Sequence, residues 1–96
     1  MIKISIIIAI YNRKDELFEL LTSLVLQTDK DFEIIVVDDG SKIALLPTIE
    51  LFSEVLNIQF FRKPNSGPGL SRNYGAKRAK NDWLVFVDSD VIVEKD

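Results

Sequence analysis

Four nearly continuous apolar runs punctuate the chain, and helical periodicity fills the stretches between them. Ile4-Ser5-Ile6-Ile7-Ile8-Ala9-Ile10 is mostly β-branched, which is how a strand buried on both faces reads. Leu17, Leu21, Leu24 and Val25 recur at helical spacing, so an amphipathic helix is predicted over residues 13–27. Asn12 is its expected N-cap, with Asp15 and Glu16 in the first turn. After a turn at 28–31, Phe32 to Val37 reads as a second strand. Leu45, Ile49, Phe52 and Leu56 mark one face of a second helix, with Pro47 tolerated in its first turn. Ile58 to Phe61 reads as a short third strand and Arg62 to Pro68 as a loop. Leu70 to Lys80 is a third helix of low apolar content, and Trp83 to Val87 is the fourth strand. Trp83 reads as core.

Strands alternating with helices over short loops predict a doubly wound, mostly parallel α/β sheet with right-handed crossovers. If the third helix carries the chain across to the far side of the first strand, the strand order is 3-2-1-4. The switch point then falls between the first and fourth strands, where such sheets place ligands. Tyr11, Asp39, the loop before the third helix and residues 88–90 would share that rim.

Composition narrows the classes. Ninety-six residues make one small domain or part of a larger one. A net charge of −3 argues against a general nucleic-acid binder or a membrane-surface binder. With no cysteine and no histidine, disulfides are excluded and a zinc site would need carboxylates alone. No apolar run approaches the roughly 18 residues of a membrane span. The start, Met1-Ile2-Lys3-Ile4, does not read as a signal peptide. The expected location is cytoplasmic.

The chemistry gathers at strand ends. Asp88-Ser89-Asp90 closes the fourth strand. Two carboxylates one residue apart repel unless a cation lies between them, and Mg or Mn suits one or two carboxylates shared with ligand phosphates. Read blandly, the same tripeptide is a solvated turn. Asp38-Asp39-Gly40-Ser41 closes the second strand. It is either a ligand-facing carboxylate beside a permissive glycine, or a turn with Ser41 as the next helix cap. Residues 65–75, with Gly67, Gly69 and Gly75, lead into the third helix and point to an anion site of free backbone N–H groups. The spacing is neither Gly-x-Gly-x-x-Gly nor a P-loop, which disfavours a nicotinamide site and an NTPase. Arg72 falls in the expected first turn, where the helix dipole disfavours a cation. Either a bound phosphate or a facing carboxylate accounts for it, or it is an exposed arginine at an ordinary loop–helix junction. The Tyr11 ring either stacks on a base or closes the core.

Taken together, Ile4 to Arg13, Gln27-Thr28, Asp38-Asp39-Gly40-Ser41, Asn65-x-Gly67 with Arg72-Asn73-x-Gly75, and Asp88-Ser89-Asp90 resemble the inverting family 2 glycosyltransferases of GT-A fold. The resemblance spans almost the whole chain, but only the nucleotide-binding first half of that family's catalytic domain. It implies a glycosyltransferase of hexosyltransferase type that uses a nucleotide-diphosphosugar, UDP-linked by preference. By the family pattern Tyr11 flanks the base and Asp39 accepts its N3–H. Ala9 and Gly67 belong to the donor site, and Arg72 lies near the base or phosphates. Asp88 contacts the ribose or sugar, Ser89 belongs to the donor site, and Asp90, with Asp88, ligates Mn or Mg. Many relatives carry Pro or Thr where this chain has Ala9, and Ser71 replaces a frequent alanine.

The resemblance carries further expectations. Residues 1–96 form the N-terminal nucleotide-sugar-binding part of the domain. The general base lies past Asp96, so no transfer is expected from these residues alone. The acceptor, a saccharide or a lipid-linked hydroxyl, binds the missing half, and the full-length enzyme is cytoplasmic or membrane-associated. The fourth strand is left as an exposed apolar edge, which favours a homo-oligomer. The main alternative is a phospho-receiver or another Mg-binding α/β module without catalytic activity. A receiver carries its acidic pair after the first strand, whereas this chain has Tyr11-Asn12 there and Arg62-Lys63 after the third. A phosphatase of the Asp-x-Asp class places its motif after the first strand, and a sugar-phosphate nucleotidyltransferase opens with a basic glycine-rich loop. Neither pattern is present.

Overall fold

The computed structural model describes residues 3–28 and 31–88, the last by its backbone. Seven elements alternate: β1 (Ile4–Ile10), α1 (Lys14–Val25), β2 (Phe32–Asp38), α2 (Leu46–Phe52), β3 (Ile58–Arg62), α3 (Pro68–Arg78) and β4 (Trp83–Asp88). The four strands are all parallel in the order β3-β2-β1-β4. The expected sheet and its switch point between β1 and β4 are therefore present.

The two faces of the sheet are packed differently. Ile6, Ile8 and Ile10 of β1, with Ile34 and Val36 of β2, meet Leu17, Leu20, Leu21 and Leu24 of α1. Leu45, Ile49, Phe52 and Leu56, around α2, complete this larger cluster. The alternate residues Ile7, Ile35 and Val37 face α3, with Phe61, Tyr74 and Ala79 at the border. This is the period-two alternation of a strand serving two cores. The sheet-facing side of α3 is made of small residues, Ser71 and Gly75. A Cβ at Gly75 would lie 2.6 Å from Ile7 Cγ2 and 3.1 Å from Val37 Cγ2, so the glycine sets how closely α3 approaches the sheet. That close seat explains the low apolar content of the third helix.

Three local expectations are corrected. Asn12 does not cap α1. Its backbone is left-handed, with φ of 54°, a conformation asparagine tolerates. Its Oδ1 accepts from Lys42 N at 2.7 Å and its N–H donates to Ser41 Oγ at 2.8 Å. Arg13 takes the cap position without a side-chain bond. Ser41 is thereby drawn to Asn12, and α2 begins only at Leu46. The third helix starts at Pro68 rather than Leu70, because proline's fixed φ suits a first helical position. Arg72 then sits in the second turn, where the dipole argument has little force.

Trp83 is the third correction. It is 62% exposed, and Leu84, Val85 and Phe86 are exposed as well. Among the described residues β4 is the edge strand, with only Val87 of its apolar residues packed against the larger cluster. A polar latch fixes its start. Ser5 Oγ and Lys80 N both donate to Glu33 Oε2, at 2.5 and 2.6 Å. Asn81 N donates to Ser5 Oγ, and its side chain to the Ile4 carbonyl. The turn from α3 is thus tied to β1 and β2, and β4 enters parallel to β1.

Candidate nucleotide site

Asp38 and Asp39 end β2 with side chains sent in different directions. Asp38, fully buried, accepts from Ser41 N at 2.9 Å and has Arg62 Nε 4.0 Å from its other oxygen. It fastens the turn after β2. Asp39 continues the ladder for one more residue, with its N–H donating to the Ile10 carbonyl at 2.9 Å. Its carboxylate is almost wholly enclosed by the segment between β3 and α3.

Gly40 makes that enclosure possible. Its φ is +75°, and a Cβ there would lie 2.7 Å from the Asn65 backbone nitrogen. Only glycine adopts this conformation without strain and also leaves the loop room to close. Asp39 Oδ1 accepts from Ser66 N at 2.8 Å and from the Lys63 ammonium at 3.1 Å. Oδ2 accepts from Gly67 N at 2.9 Å and makes a long contact with Asn65 Nδ2 at 3.4 Å. Asn65 Nδ2 bonds better to the Asp39 main-chain carbonyl, at 3.0 Å. Lys63 is held in turn by the Pro64 carbonyl and Ser66 Oγ.

Burial alone would push the Asp39 carboxyl up. The bonds from Ser66, Lys63 and Gly67 act against it, and the carboxyl is held below its ordinary value. The buried Ser71 hydroxyl faces the same group and adds to the lowering, though its geometry falls short of a hydrogen bond. The loop N–H groups expected to be free for a ligand anion therefore face a carboxylate instead. The anion is the chain's own Asp39, so the Ser66 and Gly67 N–H groups are already engaged.

In front of Asp39 lies a cleft of about 480 Å³ lined by Ala9, Tyr11, Arg13, Glu16, Asp39 and Pro68, among others. Tyr11 is 42% exposed, so its ring faces the cleft instead of closing the core. Ala9, Tyr11 and Asp39 thus line one cleft, and Gly67 adjoins them through its bond to Asp39. Arg72 is half-buried on α3 and is not among the cleft-lining residues. The Asp88 backbone pairs in register with Ala9, and Asp38 with Ile10. Both acidic strand ends therefore flank the end of β1 on one rim. The Asp88 side chain, Ser89 and Asp90 lie outside the described residues.

Lys63 is the site residue that the motif reading passed over. Its signal was present, since Arg62-Lys63 closes β3 as Asp38-Asp39 closes β2. In neighbouring parallel strands, a basic pair beside an acidic pair is a readable juxtaposition. The register sets Asp38 opposite Arg62, which leaves Lys63 beside Asp39.

The sequence pattern of glycosyl transferase family 2 matches residues 5–96. The chain belongs to glycosyl transferase family 2. An uncharacterized glycosyltransferase of Rickettsia felis is 38% identical over 94 residues, covering 98% of this chain and 16% of the relative. The crystal structure of Staphylococcus aureus TarS residues 1–349 in complex with UDP-GlcNAc superposes with a TM-score of 0.91 at 38% identity, covering 98% of this chain and 28% of that one. A mannosyltransferase from Pyrobaculum calidifontis, in complex with GDP-Man and Mn2+, shares the fold with a TM-score of 0.82 at 22% identity, covering 91% of this chain and 27% of that one. The chain thus spans less than a third of each of these proteins. Membership of family 2 sets aside the receiver, phosphatase and nucleotidyltransferase readings.

Proposed function

We propose that residues 1–96 form the nucleotide-sugar-binding part of a glycosyltransferase domain whose donor is uridine-linked. The observation that carries this reading is the cleft at the carboxyl ends of β1 and β2, with the exposed Tyr11 ring and the buried Asp39 carboxylate on its walls. An aromatic face and a fixed acceptor suit the face and the N–H of a base. The UDP-GlcNAc held by TarS supports uridine as the nucleoside.

The diphosphate and sugar are assigned to the rim beside β1, where Asp88 stands in register with Ala9. Asp88 and Ser89 contact the ribose or sugar there, and Arg72 serves the phosphates or base. Among the described residues no group of three or more metal-ligating side chains gathers. By the family pattern Asp88 and Asp90 would hold a cation, and two carboxylates are a donor set that fits magnesium or manganese shared with a diphosphate. Such an ion, when bound, neutralises the departing nucleoside diphosphate. This chain's own residues bind and orient the donor. The acceptor, a saccharide or lipid-linked hydroxyl, and the general base are assigned to the remainder of the domain. Among the described residues no helix is long and apolar enough to cross a membrane. The proposed location is cytoplasmic, with homo-oligomers forming through β4.

Thermal unfolding with UDP and manganese tests the reading. The pair should raise the melting temperature, because a ligand that binds only the native state stabilises it by mass action. Asp90→Ala should abolish the manganese-dependent part of the rise. No rise at millimolar UDP counts against the assignment.

A further inference from the structure

We infer that Ser41 is a positioning residue, whose hydroxyl holds Tyr11 in place at the cleft before a base arrives. The inference rests on the nucleotide-binding reading above and deepens it. Tyr11 is 42% exposed, so packing leaves its direction open and the backbone must set it. Both peptide groups that flank Tyr11 are tied to the chain leaving β2. On one side the Ile10 carbonyl accepts from Asp39 N at 2.9 Å. On the other, Asn12 N donates to Ser41 Oγ at 2.8 Å. A peptide group is planar. Holding the planes before and after one Cα therefore restrains that residue's φ and ψ, and with them the direction in which its Cβ leaves. The first of these bonds is main chain to main chain, so Ser41 supplies the one side-chain pin.

Ser41 is itself firmly anchored. It is fully buried. Its N–H donates to Asp38 Oδ1 at 2.9 Å, and its carbonyl accepts from Arg62 Nη2 at 2.8 Å. The ends of β2 and β3 thus both fix it. Asn12 returns the contact through Oδ1, which accepts from Lys42 N at 2.7 Å. The φ of 54° at Asn12 is unfavourable for a residue with a side chain, and such a conformation persists only where its surroundings hold it. The bonds to Ser41 and Lys42 do so, and the residue they hold directly follows the exposed ring. Tyr11 and Asn12 line the cleft and Ser41 does not. Ser41 acts through Tyr11 and not by touching the base. A base that stacks on a ring already in place binds with less loss of freedom than one that must order it.

The test is a double-mutant cycle on the 96-residue chain, with UDP titrated in the presence of magnesium and followed by NMR. Ser41→Ala removes the acceptor of Asn12 N and should weaken UDP binding about two- to tenfold, as expected for one lost hydrogen bond. Tyr11→Ala removes the stacking face and should weaken it about fivefold or more. The double variant should bind as Tyr11→Ala does, because Ser41 then has no ring to place. Ile49→Val trims the core around α2 and lowers stability, yet should leave the affinity unchanged. If Ser41→Ala does not fold, Asn12→Ala takes its place in the same cycle, since it removes the Lys42 bond at an exposed position. Equal affinity in the unaltered and the folded variant protein overturns the inference. So does a loss that persists in full on the Tyr11→Ala background, or one that Ile49→Val reproduces. These results leave the nucleotide reading standing. No UDP binding by the unaltered chain overturns both.

Discussion

β2 and β4 make an instructive pair. Each is a short apolar run that ends in aspartate, and each lies against β1 in parallel register. Ile34, Ile35, Val36 and Val37 in β2 are fully buried, while four consecutive residues of β4 are exposed, Trp83 the most. The difference is one of position. β2 has β3 beyond it and helices over both faces, whereas β4 has β1 on one side only among the described residues. An apolar run therefore encodes a strand, and its neighbours decide whether that strand is core. The same contrast reaches the site. Asp39 leaves a buried strand into a loop that clasps it, and Asp88 leaves an edge.

Substitutions on the two sides should separate these environments. Leu21 is fully buried over β1 and β2, so Leu21→Ala should lower stability by about 2–5 kcal/mol in chemical denaturation. Gly75→Ala forces a methyl against Ile7 and Val37 and should cost about 1–3 kcal/mol through overpacking. Both act on the covered strands.

Asp39→Asn should cost about 1.5 kcal/mol at neutral pH, since it replaces a charged acceptor of several donors. This effect should depend on pH. The folded carboxyl lies below its ordinary value, chiefly because the bonds from Ser66, Lys63 and Gly67 outweigh burial. The unfolded chain therefore takes up the proton first as pH falls. The stabilising contribution is complete above the ordinary carboxylate value near 4 and is lost as pH drops through the lower folded one. The gap in melting temperature between the two proteins should narrow over that interval.

Phe86→Lys on the exposed strand should change stability by no more than about 0.5 kcal/mol. It should shift sedimentation toward the monomer, because a charge on an open edge blocks strand pairing. A loss of stability as large as that of Leu21→Ala would erase the contrast between the strands.

The architecture was legible because it rests on local signals. The β-branched runs, the helical repeats and the prolines at 47 and 68 each carry their own physical reason. Strand order rested on one condition, that the third helix carries the chain across to the far side of β1, and the sheet meets it. Trp83 was misread because apolar character says nothing about what lies beyond an edge. Asn12 was misread because its side chain has two uses, a helix cap or a bond to a distant loop, and the partner at Lys42 is 30 residues away. Of the site, Tyr11 and Asp39 were readable from their places at strand ends, whereas Ala9 came from the family resemblance. The clasp on Asp39 was not. It joins Asp39 to residues 24 to 28 positions away and depends on the close approach at Gly40, which sequence spacing does not disclose.

The central claim is that the clasped Asp39 carboxylate receives the base of a nucleotide. UDP titration of the unaltered chain and of folded Asp39→Asn, followed by NMR with manganese present, tests it most directly. An affinity at least about tenfold weaker in the variant is the predicted result. Equal affinity in the two proteins would contradict the account.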